Sequence, residues 1–150
     1  YYVAAKAENF YKQALKDDSE NRVLAAQRNL QQTVDLLMDV DRLLASHPLY
    51  RLEEWVELAR NSGTTLQEKD AYEANAKRLI TSWGGIQEDY AARFWSGLIK
   101  DYYIQLYFTK GRNKIREWEE QWITSPWSNS TTPFDDPVEA ALSLIEKTNK

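Results

Sequence analysis

Pairs of neighbouring carboxylates, such as Asp17-Asp18, Glu53-Glu54, Glu119-Glu120 and Asp135-Asp136, are by type the residues of this chain best suited to acid–base work. A general acid and a general base must converge on one substrate atom, whereas neighbours on a helix point about 100° apart. These pairs therefore read as solvated faces or caps. The single histidine, His47, precedes Pro48 at the end of a helical stripe, where a cationic side chain favourably meets the helix dipole. Its expected role is structural. With one histidine and no cysteine, a histidine–cysteine metal site and a disulfide framework are both excluded. Asp39-Val40-Asp41 lacks the later ligands and the glycine of a calcium loop. No glycine-rich phosphate loop follows a strand, so no catalytic group, metal or cofactor is expected within the chain.

The aromatic residues carry more information, with six tryptophans and nine tyrosines in 150 residues. Trp55, Phe94, Leu98 and Trp118 fall on helical stripes and are most simply core. Trp83 does not. In "LITSWGGIQEDYAARFW" it ends one helical pattern and precedes Gly84 and Gly85, so its backbone belongs to a turn. Two uses are open to an indole placed there: a capping contact to the core, or an apolar wall of a small-molecule pocket.

Helical periodicity supplies the elements that must position these residues. A first helix is expected over about residues 2–16, and Ser19 as N-cap of a second with a stripe of Val23, Ala26, Leu30, Val34, Leu37 and Leu44. That run stops at Ser46-His47-Pro48. A short third helix carries Leu52, Trp55, Val56 and Ala59 and ends at Asn61-Ser62-Gly63. Thr65 and Glu68 form a capping box for a fourth, with Tyr72, Ala76, Leu79 and Ile80 inward. A fifth is expected from about Gln87 to Thr109 without a kink, and a sixth carries Ile115, Trp118 and Trp122. Thr124 to Asp136 is a surface excursion, after which Asp136 and Pro137 start a last helix holding Val138, Leu142 and Ile145.

The class is all-α: one antiparallel helical bundle of about six to seven helices over residues 1–150. A net charge of −4 offers no footprint for nucleic acid or an anionic membrane surface. No apolar run approaches the roughly 18 residues of a membrane span. The opening Tyr1-Tyr2-Val3 joins a helical stripe at once, so the chain is expected to be part of something longer.

"YEANAKRLITSWGG" followed by "EDYAARFWSGLIKDYY" resembles the C-terminal helical region of α-N-acetylglucosaminidases, glycoside hydrolase family 89. The matching positions are Tyr72, Glu73, Asn75, Ile80, Thr81, Trp83, Gly84, Asp89, Tyr90, Ala91, Gly97, Tyr102 and Tyr103, with "RLEEWVELAR" upstream. The likeness is dense from Tyr50 to Tyr103 and poor after Lys110. It implies a helical domain packed on a (β/α) barrel of the same polypeptide, which carries two catalytic glutamates. It also implies exo-hydrolysis of terminal α-linked N-acetylglucosamine with retention of configuration, in an exported or lysosomal compartment. The catalytic residues would lie outside this chain. Trp83, Asp89, Tyr90 and Tyr103 are the residues expected to reach substrate or support its pocket, and Gly84 and Gly85 would display Trp83. Where the family commonly has Pro-Arg-Trp, this chain has Gln105, Leu106 and Tyr107, so identical specificity does not follow. The competing reading is a stand-alone helical module that binds protein or glycan. The sequon Asn129-Ser130-Thr131 is permissive for glycosylation only.

Overall fold

Caps and breakers set most of the helix boundaries. In the computed structural model, which describes residues 2–81, 93–106, 115–127 and 131–149, seven helices follow one another. They are α1 (Tyr2–Ser19), α2 (Val23–Leu44), α3 (Leu52–Asn61), α4 (Leu66–Leu79), α5 (Ile99–Tyr103), α6 (Ile115–Thr124) and α7 (Pro137–Thr148). The all-α expectation holds: among the described residues there is no strand, only a bridge between Arg51 and Ser96. Thr65 Oγ1 accepts from the Glu68 N–H while the Glu68 carboxylate accepts from the Thr65 N–H, so the capping box of α4 is complete. Asp136 accepts from the Glu139 N–H, with Pro137 as first residue of α7. Both starts match the sequence pattern.

The helices enclose two apolar clusters. One joins Val3 and Ala7 of α1 to Leu36 and Val40 of α2, Ile99, Ile104 and Leu144. The other joins Leu52 and Val56 of α3 to Ile80, Leu98, Tyr102 and Leu106, with Trp55, Trp95, Trp118, Trp122 and Trp127 packed around it. Residues of α5 and its flanks enter both clusters, so α5 is the partition between the two halves of the molecule.

Several sequence expectations are corrected. Helix α1 runs through Asp17 to Ser19, and Ser19 is not the cap of α2; its hydroxyl donates to the Lys16 carbonyl. The turn is held by the buried Asp17 carboxylate, which accepts from Gln13, Arg22 and Asn29. Arg22 and the other donors keep that carboxyl below its ordinary range. On α2, Val34, Leu37 and Leu44 of the expected stripe pack half-buried against the core, but Val23 is exposed and the fully buried positions are Thr33, Leu36, Val40 and Asp41, so the centre of the inward face is shifted from that stripe. On α4, Ala76 and Ile80 are buried, but Tyr72 and Leu79 are exposed, and Glu73 and Lys77 take their places inside. On α7, Val138, Leu142 and Ile145 are exposed and Leu144 is the buried residue. His47 caps the 3-10 turn that follows α2, its Nδ1 accepting from the Leu49 N–H at 3.2 Å.

The largest correction concerns α5. Residues 93–97 are not helical, so no helix extends across them from Gln87. Gly97, expected near the middle of a helix, instead sits before its start at φ +87°, a conformation that glycine adopts without strain. The helix is also not a plain α-helix. The Ile104 N–H donates to the Ile99 carbonyl, five residues back, and this π-type winding continues towards Leu106. Gln87 and Thr109 themselves lie outside the described residues.

Candidate functional site

Asp41 organises the centre of the molecule. It is fully buried on α2, and it accepts from the Ser96 hydroxyl at 3.1 Å, the Gly97 N–H at 2.8 Å, the Lys100 N–H at 2.9 Å and the Thr131 hydroxyl at 2.6 Å. Two of these donors are backbone groups at the start of α5, which a helix leaves without intrahelical partners. Asp41 thus caps α5 from another helix, and a carboxylate is the right charge for that positive end. Thr131, the last residue of the sequon, is spent on the same carboxylate.

Beside it, the backbones of Arg51 and Ser96 meet, with the Leu52 N–H donating to Ser96 O at 2.9 Å and the Ser96 N–H to Tyr50 O at 2.6 Å. Gly97 is held against Trp127: a β-carbon at Gly97 would come within 2.9 Å of that indole and 3.3 Å of Leu52 Cβ. No side chain fits there.

A buried ion pair supports the tryptophan-rich cluster from α4. Lys77 Nζ lies 2.7 Å from the Glu73 carboxylate, and both side chains are almost fully enclosed. Lys77 also donates to the carbonyls of Trp122 and Ser125 at 3.2 and 2.5 Å. Glu73 accepts from Arg60 at 3.1 Å and from the Trp127 N–H at 2.8 Å. Burial pushes the Lys77 ammonium below its ordinary pKa, and Glu73 opposes that push. The network ties α3, α4, α6 and the segment after α6 together.

Asp101 on α5 stands apart. Burial pushes its carboxyl up to about 6; Lys100 works against this, and Asp41 adds to it. A carboxyl whose folded-state pKa is raised binds more protons folded than unfolded, so its contribution to stability falls as pH rises from about 4 to about 6. Asp101→Asn, neutral throughout, is therefore expected to match the parent near pH 4 and to exceed it at pH 7. Urea midpoints across that range test this; a midpoint difference that does not grow with pH contradicts it.

Of the four expected site residues, Trp83, Asp89 and Tyr90 lie outside the described residues. Tyr103 is described. It is half-buried on α5, edge-on to Tyr102 at 5.1 Å, and lines an apolar concavity of about 610 Å³ with Ala4, Ala7, Tyr11, Leu37 and Phe94. The described residues on either side of Trp83, Asp89 and Tyr90 in sequence are held by the fold. Before them, Thr81 is buried and its hydroxyl donates to the Lys77 carbonyl at 2.6 Å. After them, Trp95 packs edge-on against Trp55 at 6.0 Å, and the Trp55 indole N–H donates to the Ala76 carbonyl at 2.9 Å. Trp55 is thus the core residue expected. Among the described residues no group of three potential ligands could hold a metal ion. Nor is any helix there long and apolar enough to cross a membrane.

Sequence reasoning missed Asp41, Lys77 and Asp101. For Lys77 a signal existed: Glu73 and Lys77 are four residues apart with Ala74 and Ala76 between them, small enough to let the pair sink inward.

The family model described as "Alpha-N-acetylglucosaminidase (NAGLU) C-terminal domain" matches residues 2–147. The chain belongs to this family. Human alpha-N-acetylglucosaminidase is 38% identical over 71 residues, which are 46% of this chain and 10% of that protein. A family 89 glycoside hydrolase from Clostridium perfringens, in complex with PUGNAc, superposes with a TM-score of 0.81 at 23% identity, over 96% of this chain and 19% of that one. The CpGH89 structure from the same organism, in complex with its substrate GlcNAc-alpha-1,4-galactose, gives 0.81 at 22% identity over the same shares. At these identities the superpositions establish the fold. The chain spans between a tenth and a fifth of the length of these relatives, as suits a NAGLU C-terminal domain.

Proposed function

We propose that the intact polypeptide is an exo-acting glycoside hydrolase that removes terminal α-linked N-acetylglucosamine. In this reading the present chain is its C-terminal helical domain, packed on a catalytic (β/α) barrel and completing one wall of the sugar pocket. The family match over residues 2–147 is the observation that carries the reading. The compartment proposed is exported or lysosomal.

A retaining glycosidase needs a nucleophilic carboxylate and an acid/base carboxyl about 5 Å apart across the scissile bond. Among the described residues, the most deeply buried carboxylates serve structural donors: Asp17 holds Gln13, Arg22 and Asn29, Asp41 holds four donors, and Glu73 holds Lys77, Arg60 and Trp127. This reading assigns both catalytic groups to the barrel. The helical domain contributes shape, with Trp83 as an apolar wall for the sugar, Asp89 and Tyr90 supporting its turn, and Tyr103 on the neighbouring helix. The family match over residues 2–147 favours this role over a stand-alone binding module.

Trp83→Ala in the intact enzyme is expected to reduce kcat/KM on an aryl α-N-acetylglucosaminide by about ten-fold or more, the effect of losing roughly 1.4 kcal/mol of transition-state binding. Its melting temperature should change far less than that of Trp55→Ala, where truncation of a core aromatic typically costs about 3–5 kcal/mol. Unchanged kinetics with a large loss of stability would make Trp83 ordinary core.

A further inference from the structure

The apolar concavity of about 610 Å³ that Tyr103 lines lies among α1, α2 and α5. The first turns of α1 make room for it, since Ala4, Ala5 and Ala7 stand where longer side chains would fill the space. Its floor belongs to the first apolar cluster, reached at Ala7 and Ile99. Its rim is exposed, with Ala5 and Glu8 on one side and Phe94, 46% exposed, on the other. Among the described lining residues Glu8 alone is charged, and its carboxylate lies 2.8 Å from Lys12 Nζ at the surface. Large apolar faces left to water on a soluble protein mark binding surfaces.

We infer that this concavity is the face by which the domain docks on the catalytic part of the same polypeptide, filled by a convex group of uncharged, apolar side chains. The inference rests on the reading that the chain is the C-terminal domain of a larger hydrolase, and it adds which surface makes the contact. Charge, shape and symmetry select the occupant. With Glu8 already paired, the lining offers no group to recruit a charged partner. A small apolar molecule is disfavoured by shape: ligand sites bury roughly 70–90% of their ligand, whereas this hollow is open along the rim of Ala5, Glu8 and Phe94. A second copy is disfavoured by symmetry, since a two-fold interface sets a patch against itself and two hollows face to face leave a void. A protrusion from elsewhere in the same polypeptide meets all three conditions. The chain covers only 19% of the family 89 hydrolase on which it superposes, so a polypeptide built on that plan has ample surface to supply one. Tyr103 ties the concavity to the proposed sugar pocket, because it lines the one and is assigned to the other. By contrast, the exposed stripe of Val138, Leu142 and Ile145 on α7 is interleaved with Glu139, Glu146 and Lys147, as on a solvated helix.

The test introduces Ala5→Cys or Glu8→Cys singly into the intact, folded polypeptide; residues 1–150 contain no cysteine of their own. Maleimide labelling at each site is followed by peptide mass spectrometry and divided by the rate in urea-unfolded protein. Both sites are exposed within the domain, so slow labelling reports cover from outside it. Labelling about ten-fold slower or more is expected at both, because the thiol reacts only when the contact opens. Glu8→Cys alters only a surface ion pair, so it reports even where Ala5→Cys disturbs folding. The protection should survive dilution and exhaustive dialysis. Less slowing at either site in folded protein would overturn the inference. So would protection lost on dilution, which means a second copy, or lost on dialysis, which means a small ligand. Hydrolysis of an aryl α-N-acetylglucosaminide by the same intact protein is scored separately. Turnover with fast labelling refutes the docking face alone, and protection without turnover refutes the hydrolase reading alone.

Discussion

Asp41→Ala is expected to destabilise the helical domain by about 4 kcal/mol or more. The carboxylate is fully buried and serves four donors drawn from two separate stretches of chain, Ser96 to Lys100 and Thr131. A buried donor left without an acceptor costs about 1–3 kcal/mol, and here four are orphaned together, partly relieved by water entering the gap. Two of them are the N–H groups of Gly97, just before α5, and of Lys100, in its first turn; α5 partitions both apolar clusters, so the damage spreads through the core. Asp41→Asn keeps the shape but offers one acceptor oxygen and turns an NH2 towards N–H or O–H donors. It should fall between parent and alanine. Urea unfolding with an unchanged slope measures the loss; a cost below about 1 kcal/mol would show that Asp41 does not hold the start of α5.

Glu73→Ala is the second large effect, at about 3–5 kcal/mol, the usual cost of removing one partner of a buried pair. It leaves the Lys77 ammonium enclosed with only two carbonyls, and it strips the Trp127 N–H and Arg60 of an acceptor. The double variant Glu73→Ala with Lys77→Met should recover much of the loss, because an apolar pair does not carry the desolvation penalty of two ions. A double-mutant cycle is therefore expected to give a coupling of about 1–3 kcal/mol. Additive losses, with no recovery in the double variant, would mean that the pair acts only through its separate contacts.

Both predictions rest on residues that periodicity misplaces, and the reason is physical. Helix existence was legible because caps are local: Thr65 with Glu68, and Asp136 with Pro137, each satisfy N–H groups within one turn. Which face turns inward was less legible, since a pattern of apolar residues assumes that ions stay outside. On α4 the ion pair is inside, and Tyr72 and Leu79 are displaced to the surface. The role of Asp41 was illegible for another reason: its partners lie 55 to 90 residues away in sequence. The start of α5 turned on Gly97, which the sequence pattern carries through near the middle of a long helix and the structure places at positive φ against Trp127. As for the candidate site, Trp83 stood out by its place before two glycines, but its assignment to a sugar pocket came from family resemblance. No local pattern contains the barrel against which it would work.

The most direct measurement is hydrolysis of an aryl α-N-acetylglucosaminide by the intact polypeptide and by residues 1–150 alone, with the anomer of released sugar followed by NMR. The account predicts turnover by the intact polypeptide with the α-anomer appearing first, and none by residues 1–150, because it assigns both catalytic carboxyls to the barrel. Turnover by residues 1–150, abolished by changing a carboxylate within them, would contradict it, as would an intact polypeptide that folds and leaves the substrate untouched.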